Sequence, residues 1–420
     1  MISNAKIKKR QMLTYVDLFA GAGGLSEGFI RNGFKPIIHV EMNTDACYTL
    51  KTRLAYHYLQ NNNRLDHYIS YLRGEISRSE LYEKIPKNLL DSILNLKIED
   101  ATLQQIYKQI DINLKLQNSK NVDLLIGGPP CQAYSLIGRH AIDWDNDGRV
   151  KLYQLYGKIL EKYKPTMFVF ENVPGIVSAN KGRYFNDLKI YYDKLGYNVD
   201  YQILNSKDYG VLQSRKRVII IGSLKEKELN YPEFPKEKQQ YIVADIFHDL
   251  DILKAGDIIP VGKYTKPASD YQKKYNTRSN LDFYTQHITR PHNKNDLAIY
   301  TIAQNKWNNE KHRLKYNDLP EKLRTQNNIS TFLDRFKVVD STGLSHTLVA
   351  HIAKDGHYYI HPTQNRSISV REAARLQSFP DDYFFEGSRT AAFTQIGNAV
   401  PPLMSHVLAK TIKKILIRRL

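Results

Sequence analysis

The start of the chain predicts strands and a helix in an order that few folds accommodate. Residues 15–19 (YVDLF) predict a strand, residues 20–24 (AGAGG) form a glycine turn, and residues 25–32 predict a helix that ends at Gly33. Residues 36–40 predict a second strand. A strand, a helix and a strand in this order are typical of parallel strands in an α/β sheet.

Similar apolar runs recur through the first half of the chain. Residues 122–126, 167–170 and 218–221 predict further parallel strands that alternate with helices. Apolar residues spaced three and four apart predict a helical insertion at the sheet edge, over about residues 55–97. The expected fold class is therefore α/β, with a doubly wound, mostly parallel, Rossmann-like sheet.

The pattern changes after residue 223. Short strands, polar loops and scattered prolines predict a second, smaller, irregular β-rich domain over about residues 224–387, including a hairpin around Asp355 and Gly356. Residues 395–402 predict a turn, and residues 403–417 predict an amphipathic helix. The segment 388–420 is thus expected to return to the first domain, residues 1–223.

Composition excludes several classes of protein. The hydrophobic share of 42% and the charged share of 25% are ordinary for a globular protein. Cys47 and Cys131 are too few for a disulfide framework or a four-cysteine zinc site, and the histidines show no metal-binding spacing. No apolar run is long enough to span a bilayer, and no secretory signal is evident. We expect a cytoplasmic protein without a metal.

The charge of the chain favours a polyanionic partner. The 61 basic and 43 acidic residues give a net charge of +18. Residues 263–337 hold fifteen Lys and Arg against seven Asp and Glu, interleaved with aromatic residues that suit phosphate contact and base stacking. A solvated polar domain with a small aromatic core of its own would have the same composition.

The glycine turn has the features of a nucleotide site without a pyrophosphate. Ser26 stands where a dinucleotide fingerprint has its third glycine, and no Lys-Ser/Thr pair ends the turn. Glu41 follows the second strand, where an acidic residue accepts hydrogen bonds from ribose hydroxyls. S-adenosylmethionine fits this pattern because it has a ribose and no phosphate. A tight structural turn is the alternative.

Three polar clusters follow predicted strands or adjoin them. Cys131, in GGPPCQAYS, lies just past a predicted strand, on a loop stiffened by two prolines. This position suits a nucleophile, although a lone cysteine can also be a small buried hydrophobic residue. Glu171 ends an apolar strand, where a carboxyl can retain a proton. Arg215 and Arg217, in QSRKR, would project to one side of an extended segment as a fork for a carbonyl oxygen or a phosphate.

These motifs, in this order, resemble those of the cytosine-5 DNA methyltransferases, especially the bacterial modification enzymes. The resemblance spans nearly the whole chain: DLFAGAGG, Glu41, GGPPCQAYS, ENV, QSRKR, REAARLQSFPDDY and QIGNAVPP. It implies S-adenosylmethionine-dependent methylation of cytosine in double-stranded DNA, with the first domain catalytic and cofactor-binding and the second a target-recognition domain.

The resemblance also implies roles for individual residues. Cys131 would attack carbon 6 of a flipped cytosine, and Glu171 would hydrogen-bond or protonate ring nitrogen 3. Arg217 would hold the carbonyl oxygen at carbon 2, and Arg215 would support Glu171 and the phosphate or thiol region. Asp100 is expected at the adenine amino group, although the chain has Glu-Asp-Ala where the family usually has Gly-Asp-Ile. The expected cofactor-binding residues are Phe19, Gly21, Gly23, Gly24, Leu25, Glu41, Met42, Asp100, Ala101, Pro129, Leu152, Asn398, Ala399 and Val400.

The DNA-binding candidates fall in two groups. The first lies on the loop after the nucleophile, and the second lies in the basic domain, where contact with phosphate is expected more often than with a base edge. They are Gln132, Ser135, Arg139, Arg290, His292, Asn293, Lys294 and Arg313.

Other assignments remain open from the residues alone. An RNA cytosine methyltransferase has a similar scaffold, and a catalytically silent DNA-binding protein would retain the fold. The long basic domain favours DNA, and the presence of Cys131, Glu171 and Arg217 favours an active enzyme. We expect a monomer that shares its target sequence with a cognate restriction endonuclease.

Overall fold

A large mixed sheet forms the centre of the protein. The computed structural model describes residues 12–130, 152–325 and 333–418. The strand order in the seven-stranded sheet is β3-β2-β1-β4-β5-β7-β6. Its strands are β1 (Thr14–Leu18), β2 (Lys35–Glu41), β3 (Ile93–Asn95), β4 (Leu124–Gly127), β5 (Met167–Asn172), β6 (Tyr197–Asn205) and β7 (Lys216–Leu224). A smaller antiparallel sheet pairs β8 (Ile258–Lys263) with β9 (Phe283–Ile288).

Helices cover both faces of the large sheet. The helices are α1 (Gly24–Arg31), α2 (Thr44–Asn61), α3 (Leu65–Leu72), α4 (Arg78–Glu83), α5 (Lys87–Leu90), α6 (Leu103–Leu116), α7 (Leu152–Tyr163), α8 (Gly175–Ser178), α9 (Arg183–Lys194), α10 (Ala244–Phe247), α11 (Asp270–Lys274), α12 (Lys294–Glu310), α13 (Val370–Leu376), α14 (Arg389–Asn398) and α15 (Pro402–Arg418). None of the helices in the described ranges is long and apolar enough to cross a membrane.

Alternating side chains of β1 separate the two cores of the large sheet. Val16 and Leu18 point into a core with α6, α7 and α9, whereas Tyr15 points into a core with α1 and α15. Strands β1 to β5 pair in parallel, so their carboxyl ends share one edge. The expected doubly wound, mostly parallel fold with a second small β sheet is confirmed.

One strand has the opposite direction to the expected one. Residues 218–221 lie in β7, which pairs antiparallel with both β5 and β6. The connection between β6 and β7, residues 206–215, contains no crossover helix, and a short connection joins antiparallel neighbours. The prediction of a parallel strand here was therefore wrong.

Two local predictions in the last third also fail. The segment around Asp355 and Gly356 forms short 3-10 turns at Ala350–Ala353 and His357–Tyr359 instead of a hairpin. Residues 395–398, expected in a turn, form the last turn of α14. Both segments pack in a third core that also holds Ala22 of the glycine turn and Phe379. Tertiary packing therefore overrides the local turn signal at both places.

Candidate active site

The glycine turn after β1 is held by Glu41 at the end of β2. Gly21 and Gly23 have φ angles of +54° and +83°, which glycine adopts without steric cost, and Phe19 has a φ of +56°. The backbone N–H of Gly21 donates to Oε2 of Glu41 at 2.9 Å, and that of Asn43 donates to Oε1 at 2.8 Å. The carboxylate therefore sits directly beside the turn.

The C-terminal segment closes on the same turn. A Cβ atom on Gly24 would lie 2.3 Å from the carbonyl oxygen of Val400, so only glycine permits this approach. Ala399 and Val400 are buried, whereas Asn398 is exposed at the end of α14. Leu25 packs in the same core as Val400. The structure thus brings the QIGNAVPP motif against the first glycine motif.

The remaining cofactor candidates are more scattered. Met42 is 64% exposed, and Ala101 is also exposed. The Asp100 carboxylate pairs with the Lys158 ammonium group at the surface, a contact that sequence reasoning did not anticipate. Leu152 is half-buried at the start of α7. The expected contact between Asp100 and the adenine amino group stays a prediction.

Glu171 and Arg217 form a nearly enclosed ion pair at the carboxyl edge of the sheet. Nε of Arg217 lies 2.8 Å from Oε1 of Glu171, and each side chain is 11% exposed. Burial raises the pKa of the Glu171 carboxyl above its ordinary value, while Arg217 and then Arg215 act in the opposite direction. A carboxyl that retains protons more strongly in this way can act as an acid beside a fixed cation.

The turn that leads into Cys131 contacts this ion pair. A Cβ atom on Gly128 would lie 2.8 Å from Oε2 of Glu171. The side-chain amide of Asn172 donates to the carbonyl oxygen of buried Pro129 at 3.0 Å. Cys131 itself lies outside the described residues, as do Gln132, Ser135 and Arg139. Its near neighbours Gly128 and Pro129 are nevertheless fixed against Glu171 and Asn172.

Substituting Gly128 with alanine should lower kcat because the added methyl group displaces the Glu171 carboxylate. A displacement of about 1 Å at a reacting group costs about 10- to 100-fold in rate. Steady-state kinetics should show the loss in the wild-type background. In a Glu171→Gln background the same substitution should lower kcat little further, because both changes act on the side chain of residue 171. Additive losses would contradict this coupling.

Arg215 and Arg217 do not form the expected fork. Arg215 is completely buried, and its guanidinium donates to the carbonyl oxygens of Leu348 and Gly397, the latter at 3.1 Å. Arg217 forms an ion pair with Glu171, and Arg215 affects that carboxyl only through its charge as far as the described contacts show. Residues 213–215 precede β7 and pair with the segment just before Leu348, whereas Arg217 lies within β7. The two guanidinium groups therefore have different surroundings. Arg215 is a positioning residue, because its hydrogen bonds connect its own segment to those of Leu348 and Gly397.

Two buried polar residues at the site were not singled out from the sequence. The amide of Gln213 accepts from the Leu348 backbone N–H at 2.8 Å and donates to the Leu376 carbonyl oxygen at 3.2 Å. Both carboxyl oxygens of Asp17 are buried without a hydrogen-bond partner among the described residues. Burial, followed by the charge of Glu41, raises the pKa of Asp17 well above its ordinary value. A polar residue inside a buried strand, as Asp17 is in β1, was the available signal.

Three DNA-binding candidates have partners inside the protein. Arg290 donates to the Ala353 carbonyl oxygen at 2.6 Å, and Nε2 of His292 lies 2.9 Å from the Ser367 hydroxyl. Asn293 caps α12 by accepting from the Asp296 backbone N–H. Lys294 is exposed, and exposed Arg313 lies over the Trp307 ring. Of the described candidates, Lys294 and Arg313 therefore present their charges to solvent most freely.

Among the residues with described positions, no group of three or more His, Cys, Asp or Glu side chains is arranged to hold a metal ion. The site combines an acid–cation pair next to the turn at Gly128 and Pro129 with the glycine turn on the same edge of the sheet. The strands that carry these two parts, β1, β4 and β5, are neighbours in the sheet.

Comparison with known proteins agrees with this arrangement. The chain matches the family model described as C-5 cytosine-specific DNA methylase over residues 13–68 and 75–414. It is 42% identical over 439 residues to the type II methyltransferase M.Bpa9945I of Bacillus paralicheniformis, with 96% of this chain and 98% of that protein covered. It is 29% identical over 402 residues to the type II methyltransferase M1.HphI of Haemophilus parahaemolyticus, with 96% and 87% covered.

Solved structures share the fold. A prophage-encoded protein from E. coli, assigned as a DNA modification methyltransferase, superposes with a TM-score of 0.63 at 23% identity, covering 96% of this chain and 99% of that one. The Entamoeba histolytica methyltransferase EhMeth superposes with a TM-score of 0.54 at 14% identity, covering 97% and 99%. At these identities the likeness is one of architecture.

Proposed function

Because the chain belongs to the C-5 cytosine-specific DNA methylases, we propose that it methylates carbon 5 of a flipped cytosine in a specific double-stranded DNA sequence, using S-adenosylmethionine and Cys131. The observation that carries the proposal is the Glu171–Arg217 ion pair beside the turn that leads into Cys131. That pair supplies an acid and a cation where a cytosine ring next to the thiol would need them.

The residues around the glycine turn fit S-adenosylmethionine. Glu41 offers a carboxylate that can accept hydrogen bonds from ribose hydroxyls. The close approach of Gly24 to Val400 means that backbone atoms line this side of the turn. The buried Asp17 carboxyl has no hydrogen-bond partner among the described residues and lies 3.9 Å from Nε2 of His39, so it is a group that a cationic ligand complements. When bound, this cofactor supplies an electrophilic methyl group.

The side chains of this protein carry the remaining steps. The Cys131 thiolate forms a bond to carbon 6, which moves the electron pair of the carbon 5–carbon 6 bond toward carbon 5. Glu171 donates a proton to ring nitrogen 3, and Arg217 holds the carbonyl oxygen at carbon 2 as negative charge develops there. Carbon 5 would then take the methyl group as the bond between that methyl group and the sulfur of the cofactor breaks. Loss of the carbon 5 proton to a base, with return of the nitrogen 3 proton to Glu171, restores the carbon 5–carbon 6 double bond and expels the Cys131 thiolate.

Access to carbon 6 requires that the base leave the duplex. A base within the stack is closed to attack, so the cytosine must rotate out into the pocket. We assign catalysis and cofactor binding to residues 1–223, target recognition to residues 224–387, and return to the catalytic domain to residues 388–420. Exposed Lys294 and Arg313 are the described candidates best placed for phosphate contact.

The biological setting follows from the relatives. Two of them are named as type II methyltransferases, which act in restriction-modification systems. We propose that this enzyme protects host DNA in the cytoplasm from a cognate endonuclease that reads the same sequence, and that it acts as a monomer. Bisulfite sequencing of DNA from cells that express the chain would report both the product and its sequence context.

DNA that carries 5-fluorocytosine at the target position should trap the enzyme. Fluorine cannot leave carbon 5 as a proton, so the bond to Cys131 should persist and give an adduct that survives denaturing electrophoresis. The adduct should form only with S-adenosylmethionine present, and not with RNA of the same sequence. Absence of an adduct at an established target site, or an adduct with RNA alone, would overturn the proposal.

A further inference from the structure

A basic cleft lies at the edge of the sheet opposite the candidate active site. Arg31, at the end of α1, and the last turns of α15 line a cavity of about 660 Å³. This is the edge where β1 and β2 begin, since the Lys35 backbone N–H donates to the Leu13 carbonyl oxygen. Glu41 and Glu171 lie at the other ends of their strands. A strand of five to seven residues is about 17 to 23 Å long, so the two sites are separate.

Carboxylates balance little of the positive charge in the cleft. Its lining contains five cations and no Asp or Glu: Arg31, Lys410, Lys413, Lys414 and Arg418, with Asn32, Gly33 and Ile417. The sequence has no acidic residue anywhere from position 388 to position 420. An ordinary solvated helix face mixes charges of both signs. The face of α15 that lines this cleft departs from that pattern.

Three of the cations are free to bind an anion. Lys410, Lys414 and Arg418 are spaced four residues apart, so they form one stripe along α15, and all three are exposed. Among described residues none of the three has an ion-pair partner. By contrast, Arg31 pairs with Glu27 at 2.6 Å, and the Lys413 ammonium group donates to the Asn32 carbonyl oxygen. Arg31 and Lys413 therefore already have partners within the protein, whereas the three exposed cations of the stripe remain available to a ligand.

The stripe suits an extended polyanion better than a small one. Eight residues of helix span about 12 Å, and duplex DNA carries one phosphate charge per about 1.7 Å of its axis. Lysine and arginine side chains that contact phosphates position a duplex without reading its base edges. We propose that this cleft is a second, sequence-independent binding site for duplex DNA, which holds a segment other than the one being methylated.

Two occupied sites would let the enzyme move between DNA segments without free diffusion. A segment held at the α15 stripe remains near the active site while the first segment is released, so departure from the first duplex should speed up as a second duplex is added. This inference concerns DNA binding alone and is independent of the covalent chemistry at Cys131.

The test compares two triple variants that remove equal charge. K410Q/K414Q/R418Q neutralises the stripe, and K84Q/K87Q/K108Q neutralises exposed lysines elsewhere, none of which has an ion-pair partner in the described structure. Protein saturated with an unlabelled short target duplex is titrated with a fluorescent target-free duplex. Wild type and the control should bind the second duplex, and release the first faster as it is added. The stripe variant should do neither, yet should turn over a single short duplex at the wild-type rate.

Salt dependence supplies a second readout. For the second duplex, the slope of log affinity against log salt should be smaller by about 2 to 3 in the stripe variant, because each lost phosphate contact removes about 0.9. Wild-type binding of the second duplex by the stripe variant would overturn the inference. So would preference of the wild-type cleft for poly-glutamate over DNA, which would indicate an acidic protein partner. Failure of methyl transfer with normal second-duplex binding would overturn only the proposed function.

Discussion

Replacing Cys131 with serine should reduce methyl transfer by about 10⁴-fold or more while the protein remains folded. A serine hydroxyl is almost fully protonated at neutral pH and is a far weaker nucleophile than a thiolate, and loss of a nucleophile typically costs this much. The substitution changes one atom, so thermal unfolding and S-adenosylmethionine binding should match the wild type. Transfer of labelled methyl groups to target DNA measures the loss.

Cys47 provides the matched control. Its thiol is buried and donates to the Glu41 carbonyl oxygen at 3.2 Å, a hydrogen bond that serine can also make. Burial, with the charge of Glu41, raises the pKa of Cys47 to about 12, so this thiol is not a thiolate at neutral pH. Cys47→Ser should therefore retain most activity. Near wild-type turnover in Cys131→Ser, or equal losses in both variants, would contradict the assignment of the nucleophile.

Substituting Glu171 with glutamine should lower kcat by about 10²- to 10⁴-fold, the usual contribution of a general acid. Glutamine retains the shape of the side chain and can still accept a hydrogen bond, but it has no proton to deliver to ring nitrogen 3. The affinity for cofactor should be unchanged because Glu41 and the glycine turn lie on different strands from Glu171. Single-turnover kinetics separate the chemical step from binding.

The pH profile gives an independent test of the same role. Burial raises the pKa of Glu171, with Arg217 opposing the shift. The carboxyl donates only when protonated, so its contribution is present below that pKa and is lost as pH rises through it. The wild-type rate should therefore fall on the alkaline side, whereas Glu171→Gln should lack this fall. An unchanged alkaline limb in the variant would assign it to another group.

Thermal unfolding measurements distinguish a loss of catalysis in Glu171→Gln from a loss of stability. Removing the Glu171 charge leaves the nearly enclosed Arg217 without its counter-ion, and breaking such a pair is destabilising. Glu171→Asp restores the charge with a shorter reach and is the matched variant. It should recover stability more than it recovers kcat, because the proton donor remains displaced from the ring.

Local sequence patterns were enough to predict the first part of the fold. The opening strand, glycine turn, helix and strand correspond to β1, α1 and β2 within about one residue at each boundary. These elements are encoded by short-range features: apolar runs, glycines at positive φ, and Gly33 after the helix. The direction of β7 was not encoded in this way, because an apolar run has the same pattern in parallel and antiparallel strands.

Residue type and motif order determined which groups carry the chemistry, and tertiary packing decided how each group is used. The sequence alone identified Glu41, Cys131, Glu171 and Arg217 as the residues suited to a cofactor site, a nucleophile, an acid and a cation. It did not separate Arg217 from Arg215, nor Lys294 from Arg290, since both members of each pair have the same type of charge. Contacts distant in sequence make that distinction: carbonyl oxygens of residues 348, 353 and 397 bind Arg215 and Arg290 inside the protein, while Arg217 meets Glu171 and Lys294 remains in solvent.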